Sequence, residues 1–113
     1  MLPIKTTIDW LGYRTQAEVP AVLEAMRGMF GTHGDWLNLE YLPRGKDGFA
    51  QGAALRFADQ VIGRLDYGGE QQRGWVRVNV TGTGCENVAD WDAIEAVEAL
   101  SSAQLRRTDI ALT

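Results

Sequence analysis

Hydrophobic and polar positions alternate most regularly within residues 61–85, VIGRLDYGGEQQRGWVRVNVTGTGC. Val76, Val78 and Val80 fall on one side and Trp75, Arg77, Asn79 and Thr81 on the other, the period-two signature of a half-buried strand. Residues 61–67 alternate less cleanly, with Val61, Gly63, Leu65 and Tyr67 on one face and Ile62, Arg64 and Asp66 on the other. Together they predict a hairpin with one apolar face. Gly68 and Gly69 supply positive-φ positions, so its connection is a longer polar loop and not a two-residue turn.

The rest of the chain supplies elements to pack against this ribbon. Residues 8–14, IDWLGYR, read as a strand, with Ile8 and Trp10 on one face and Asp9, Leu11 and Tyr13 on the other. Val19, Val22, Leu23, Met26 and Phe30 recur at spacings of three and four, the stripe of an amphipathic helix that Gly31 and Gly34 end. Thr15 and Glu18 have capping-box spacing, but that start would put Pro20 beyond the first turn, so the helix is expected to begin nearer residues 17–19. WLNLEYLP alternates briefly before Pro43, and residues 43–52 read as a loop carrying Arg44 and Lys46. Residues 53–58 are short enough to be a strand pairing with 61–67. Asn87 or Asp90 can cap a second helix with Trp91, Ile94, Val97 and Leu100 inward. Residues 105–113, LRRTDIALT, form a final strand whose abrupt end has the look of a truncation.

This order predicts an α+β fold: an antiparallel or mixed sheet of about five strands with two helices on one face, related to the split βαβ or ferredoxin-like arrangement. The 113 residues, 45% apolar, suffice for a single domain with its own core. A formal net charge of −4 argues against a general polyanion binder, so any nucleic-acid contact has to be local. The single cysteine excludes an internal disulfide and agrees with a cytoplasmic location. No window approaches the ~18 apolar residues of a membrane span.

Candidate chemistry is sparse. One histidine, His33, and one cysteine, Cys85, lie far apart in sequence and match no zinc spacing. Cys85 lacks a neighbouring base and reads as a small packed hydrophobe. Thr81-Gly82-Thr83-Gly84 has the glycines of a phosphate-cradling loop but neither the Walker nor the dinucleotide spacing, and a strand-to-helix turn accounts for it. Asp109 beside Arg107 fits a surface ion pair or an acid facing a divalent cation. Trp75 with Arg77 on an outer strand face is the best pair for stacking an unpaired base.

GWVRVNVTGTGC, followed by Asp90-Trp91 and then RRTDIAL, resembles the N-terminal half of phage replication-initiation factors. These are the rolling-circle initiators of filamentous phages and prophages, grouped with certain plasmid Rep proteins. The resemblance spans roughly residues 8–112, and IDWLGYR is similar to the family's aromatic first strand. It implies an initiator that nicks one strand at a phage origin through a tyrosine, with a divalent metal, Mg or Mn, stabilising the transferring phosphate. The family's tyrosine lies beyond the Arg-x-Asp strand, past Thr113, so no residue of these 113 is assigned as catalytic. Asp109 carries over as a metal-facing or active-site-supporting acid, while the family's second acid, four residues on, is here Thr113.

The resulting expectation is a chain that forms the N-terminal half, or a truncated form, of such an initiator, inactive in nicking alone. Arg64, Trp75, Arg77 and Arg107 are the expected contacts to origin DNA, single-stranded or hairpin. The alternative is a non-catalytic prophage-derived interaction module, self-associating through its C-terminal strand.

Overall fold

The computed structural model describes residues 6–69 and 72–112, with side chains described for 10–69 and 72–106. Six strands, β1 (Thr6–Thr15), β2 (Leu37–Tyr41), β3 (Gln51–Phe57), β4 (Gln60–Tyr67), β5 (Val76–Val80) and β6 (Gln104–Leu112), form one sheet in the order β2-β3-β4-β5-β1-β6. Every pairing is antiparallel, which resolves the mixed alternative. The brief alternation before Pro43 is a full edge strand, β2, and β6 forms the other edge.

Three short helices accompany the sheet: α1 (Val19–Arg27), α2 (Gly82–Glu86) and α3 (Ile94–Glu98). Pro20 falls in the first turn of α1, where its missing N–H costs nothing, and Glu18 is the N-cap residue without a side-chain bond. Thr15 does not cap that helix; its hydroxyl donates to the Ser101 carbonyl at 2.6 Å and accepts from Ala17 N–H at 3.1 Å. The predicted stripe continues past Arg27, but as 3₁₀ turns broken at Gly31, whose φ is 63°. Helix α1 is therefore shorter than its hydrophobic period. The second predicted helix is also shorter: Asp90 accepts from Asp92 N–H, a 3₁₀ turn covers Trp91–Ala93, and α3 follows. The glycines after β5 form α2, where Thr81 is the N-cap.

One face of the sheet carries the core. Val22 and Met26 of α1 and Val97 of α3 join Leu11, Leu55 and Val78 in one buried cluster. Inward positions of β5 follow the alternation: Val76, Val78 and Val80 are buried.

β4 departs from it. Leu55 pairs with Gly63 and Arg56 with Val61, so Ile62 is an extra residue, a β-bulge. Ile62 consequently enters the core, and Val61 is 54% exposed, reversing the faces that strict alternation assigns to these two. Helix α2 seats on the bulge. The Ile62 carbonyl accepts from Thr81 N–H at 2.9 Å and from its hydroxyl at 3.1 Å. A Cβ on Gly84 would lie 2.6 Å from that carbonyl oxygen, and one on Gly63 2.1 Å from the Asn79 carbonyl oxygen. Both positions need glycine for close backbone approach.

Candidate functional site

The sheet face opposite the core is polar, and two rungs of its ladder hold the chemistry. One runs Gly52, Asp66, Arg77, Arg14, Gln104 across β3, β4, β5, β1 and β6. The next runs Arg64, Asn79, Gly12, Arg107 from β4 to β6. Pairing thus gathers residues scattered over the whole sequence.

Asp66 is the hub. Its carboxylate is wholly buried, and four donors fill its acceptor positions: Lys46 N–H at 3.1 Å and Arg64 Nη2 at 2.6 Å on Oδ1, Arg64 Nε at 2.9 Å and Arg77 Nη2 at 3.1 Å on Oδ2. A carboxylate offers about four lone-pair sites, so this one is saturated. Gly52, its β3 partner, leaves the room: a Cβ there would come within 2.8 Å of Arg64 Nη2 and 3.1 Å of Asp66 Oδ1. The arginine side chains keep partial exposure, 31% for Arg64 and 28% for Arg77. They are held rigidly while still meeting solvent. Rigid, bidentate arginines suit planar or phosphate ligands because little side-chain freedom remains to be lost.

Two further groups bear on Arg77. Asp47, on the loop of residues 43–50, accepts from Nη1 at 3.0 Å, and the Phe49 ring lies 4.9 Å under the guanidinium. Asp47 adopts φ 56°, the left-handed region, and is mostly exposed. Across the ladder, Arg14 lies 4.1 Å from the Trp75 ring centroid and donates from Nε to Gln104 Oε1 at 3.0 Å. The face holds two adjoining clefts. One of about 560 Å³ is lined by Trp10, Lys46, Val61, Arg64, Arg77 and Asn79 among others. The other, about 290 Å³, lies between Arg14, Phe49, Trp75, Arg77 and Arg106.

Of the residues expected to touch DNA, Arg64 and Arg77 meet on Asp66, and Trp75 shares the smaller cleft with Arg77. Arg107 stands opposite Gly12 and Asp109 opposite Trp10 in the β1–β6 ladder; their side chains lie outside those described. Among the described residues no three of His, Cys, Asp and Glu gather to hold a metal. Asp66 has no free lone pair to offer a divalent ion. Cys85 is a buried residue of α2 and His33 stacks on Trp36 at 4.1 Å, in keeping with packing roles. Arg14, Asp47, Phe49 and Arg106 were not singled out by sequence reasoning. Strand pairing reveals Arg14, whereas Asp47 and Phe49 reach the face from a loop and Arg106 lies at a register shift between β1 and β6.

No protein-family model matches the chain, and no curated protein matches it in sequence. The fold does find a counterpart: the rolling-circle replication initiator protein from Geobacillus stearothermophilus superposes with a TM-score of 0.66 at 21% identity, covering 97% of this chain and 44% of that protein. The fold is that of a rolling-circle replication initiator. The chain spans less than half the length of its counterpart. Within this initiator-like fold the polar face bears the arginine clamp and both clefts, opposite the helices. No helix among the described residues is long and apolar enough to cross a membrane.

Proposed function

We propose that this chain is the DNA-contacting sheet domain of a rolling-circle replication initiator of phage or prophage type, and that the polar face makes the contacts. The observation that carries the reading is the Arg64–Asp66–Arg77 clamp, two preorganised guanidiniums on the open face of an initiator-like fold. The nicking tyrosine is supplied from outside these 113 residues. Tyr13 is buried in the core, and Tyr41 and Tyr67 adjoin no acidic cluster among the described residues. A divalent ion, if Asp109 helps to hold one, draws its other ligands from elsewhere.

The test is fluorescence anisotropy with a labelled 30-nucleotide DNA offered as single strand, hairpin and duplex over a range of salt. Binding that weakens steeply with salt, and weakens further on Arg77→Ala, supports the reading. Absence of binding to all three forms, or indifference to both salt and Arg77→Ala, overturns it.

A second reading has its own observation. β6 is an edge strand and Leu105 on it is 49% exposed, so the strand can pair with another copy. Sedimentation at high concentration showing a strict monomer would exclude this.

A further inference from the structure

We propose that the smaller cleft is a subsite for one unpaired, phosphate-bearing nucleotide of a DNA strand, with Trp75 and Phe49 stacking its base and Arg14 and Arg106 taking its phosphate. The inference rests on the DNA-binding reading above and goes beyond it by naming the strand form and the residues.

Size, charge and ring content lead here together. About 290 Å³ is at the lower limit of small-molecule sites, ~300 Å³, which accommodates one base and not a duplex edge. The larger cleft is close to electroneutral, since Lys46, Arg64 and Arg77 face Glu40 and Asp47 with Asp66 beneath. The smaller one is lined by Arg14 and Arg106, by Arg77, whose charge Asp66 and Asp47 meet, and by no acid. Among the described residues no carboxylate pairs with Arg14 or Arg106. In a chain of net charge −4, unneutralised arginines converging on one cleft are a local exception.

Both rings are already stacked by guanidinium groups, Arg14 over Trp75 and Arg77 over Phe49. Arginine planes and aromatic faces are interchangeable stacking surfaces for a base, because each offers a flat polarisable face and the arginine adds charge. Gln104 fixes Arg14 through Nε, and among the described residues no acceptor holds its terminal nitrogens.

The experiment titrates the chain with dT12, with a duplex of the same length and with free dTMP. Trp75 emission is taken as the difference between wild type and Trp75→Phe, and anisotropy is read alongside. The expected result is quenching by dT12, little by duplex, and none by dTMP at equal concentration. Affinity for dT12 should fall roughly tenfold on Trp75→Ala and be largely retained by Trp75→Phe, which keeps a stacking ring. Arg106→Ala, an exposed position, should weaken dT12 binding without lowering the thermal midpoint. Duplex or hairpin binding with no Trp75 response to dT12 overturns the subsite and leaves the DNA-binding reading standing. Quenching by dTMP but not by dT12 overturns the strand assignment. No binding of any DNA form overturns both.

Discussion

Arg77 and Asp66 stand opposite each other in the β4–β5 ladder, joined at 3.1 Å with the carboxylate wholly buried. Removing the carboxylate strands two guanidinium groups, and breaking a fully buried pair costs ~3–5 kcal/mol. Here both arginines are about 30% exposed and can rehydrate. Asp66→Ala should therefore lower unfolding stability by ~1–3 kcal/mol, read from the urea midpoint. A change within ~0.5 kcal/mol would contradict the hub role.

Asp47 occupies Arg77 Nη1 much as a phosphate oxygen would. Asp47→Asn tolerates the left-handed backbone and removes the charge. Single-strand affinity should rise severalfold, with a log–log salt slope steeper by up to ~0.7 if Arg77 gains one phosphate contact. Affinity unchanged or lowered would show that Asp47 does not compete with the ligand.

The bulge makes two adjacent β4 residues opposite in consequence. Ile62→Ala should cost ~2–5 kcal/mol because it leaves a cavity under α2. Val61→Ala should stay within ~0.5 kcal/mol, as expected for an exposed position. Equal losses would mean that the face assignment is wrong.

Gly63 faces backbone, which cannot swing away as a side chain can. Gly63→Ala should destabilise by ~1–3 kcal/mol or more and weaken amide-exchange protection at the β4–β5 junction first. Protection lost uniformly across the sheet would instead indicate a global effect.

Burial raises the Tyr13 hydroxyl well above its ordinary range, and the group has no hydrogen-bond partner among the described residues. Folding thus favours the protonated form. Its contribution is fully present below the unfolded value of ~10 and is lost as pH rises above it. Tyr13→Phe should match or exceed wild-type stability at pH 7, by up to ~1 kcal/mol, and should decline less between pH 9 and 11. Parallel decline of both proteins would show that Tyr13 is not the group responsible.

Much of this arrangement was legible from local pattern. The alternation of Val76, Val78 and Val80 placed β5 correctly, and the apolar stripe placed α1, because both depend on neighbours a few residues apart. Helix lengths were not, since Gly31 and the 3₁₀ turns around Trp91 are set by packing. Arg64 and Arg77 were visible as outward cations. Asp66 as their shared anchor was not, because the contact depends on which rung of β4 meets which rung of β5. Phe49 and Asp47 reach Arg77 from a loop, which carries no period at all.

A strand alternating in and out is read in a frame of two, and Ile62 is one inserted letter. Upstream of it Val61 is out of phase with everything downstream. Without Ile62, Val61 would still face outward and strict alternation would return, but the core would lose a side chain and α2 the carbonyl on which it sits. The extra residue thus serves the core and α2 and leaves the outer face of the sheet in step.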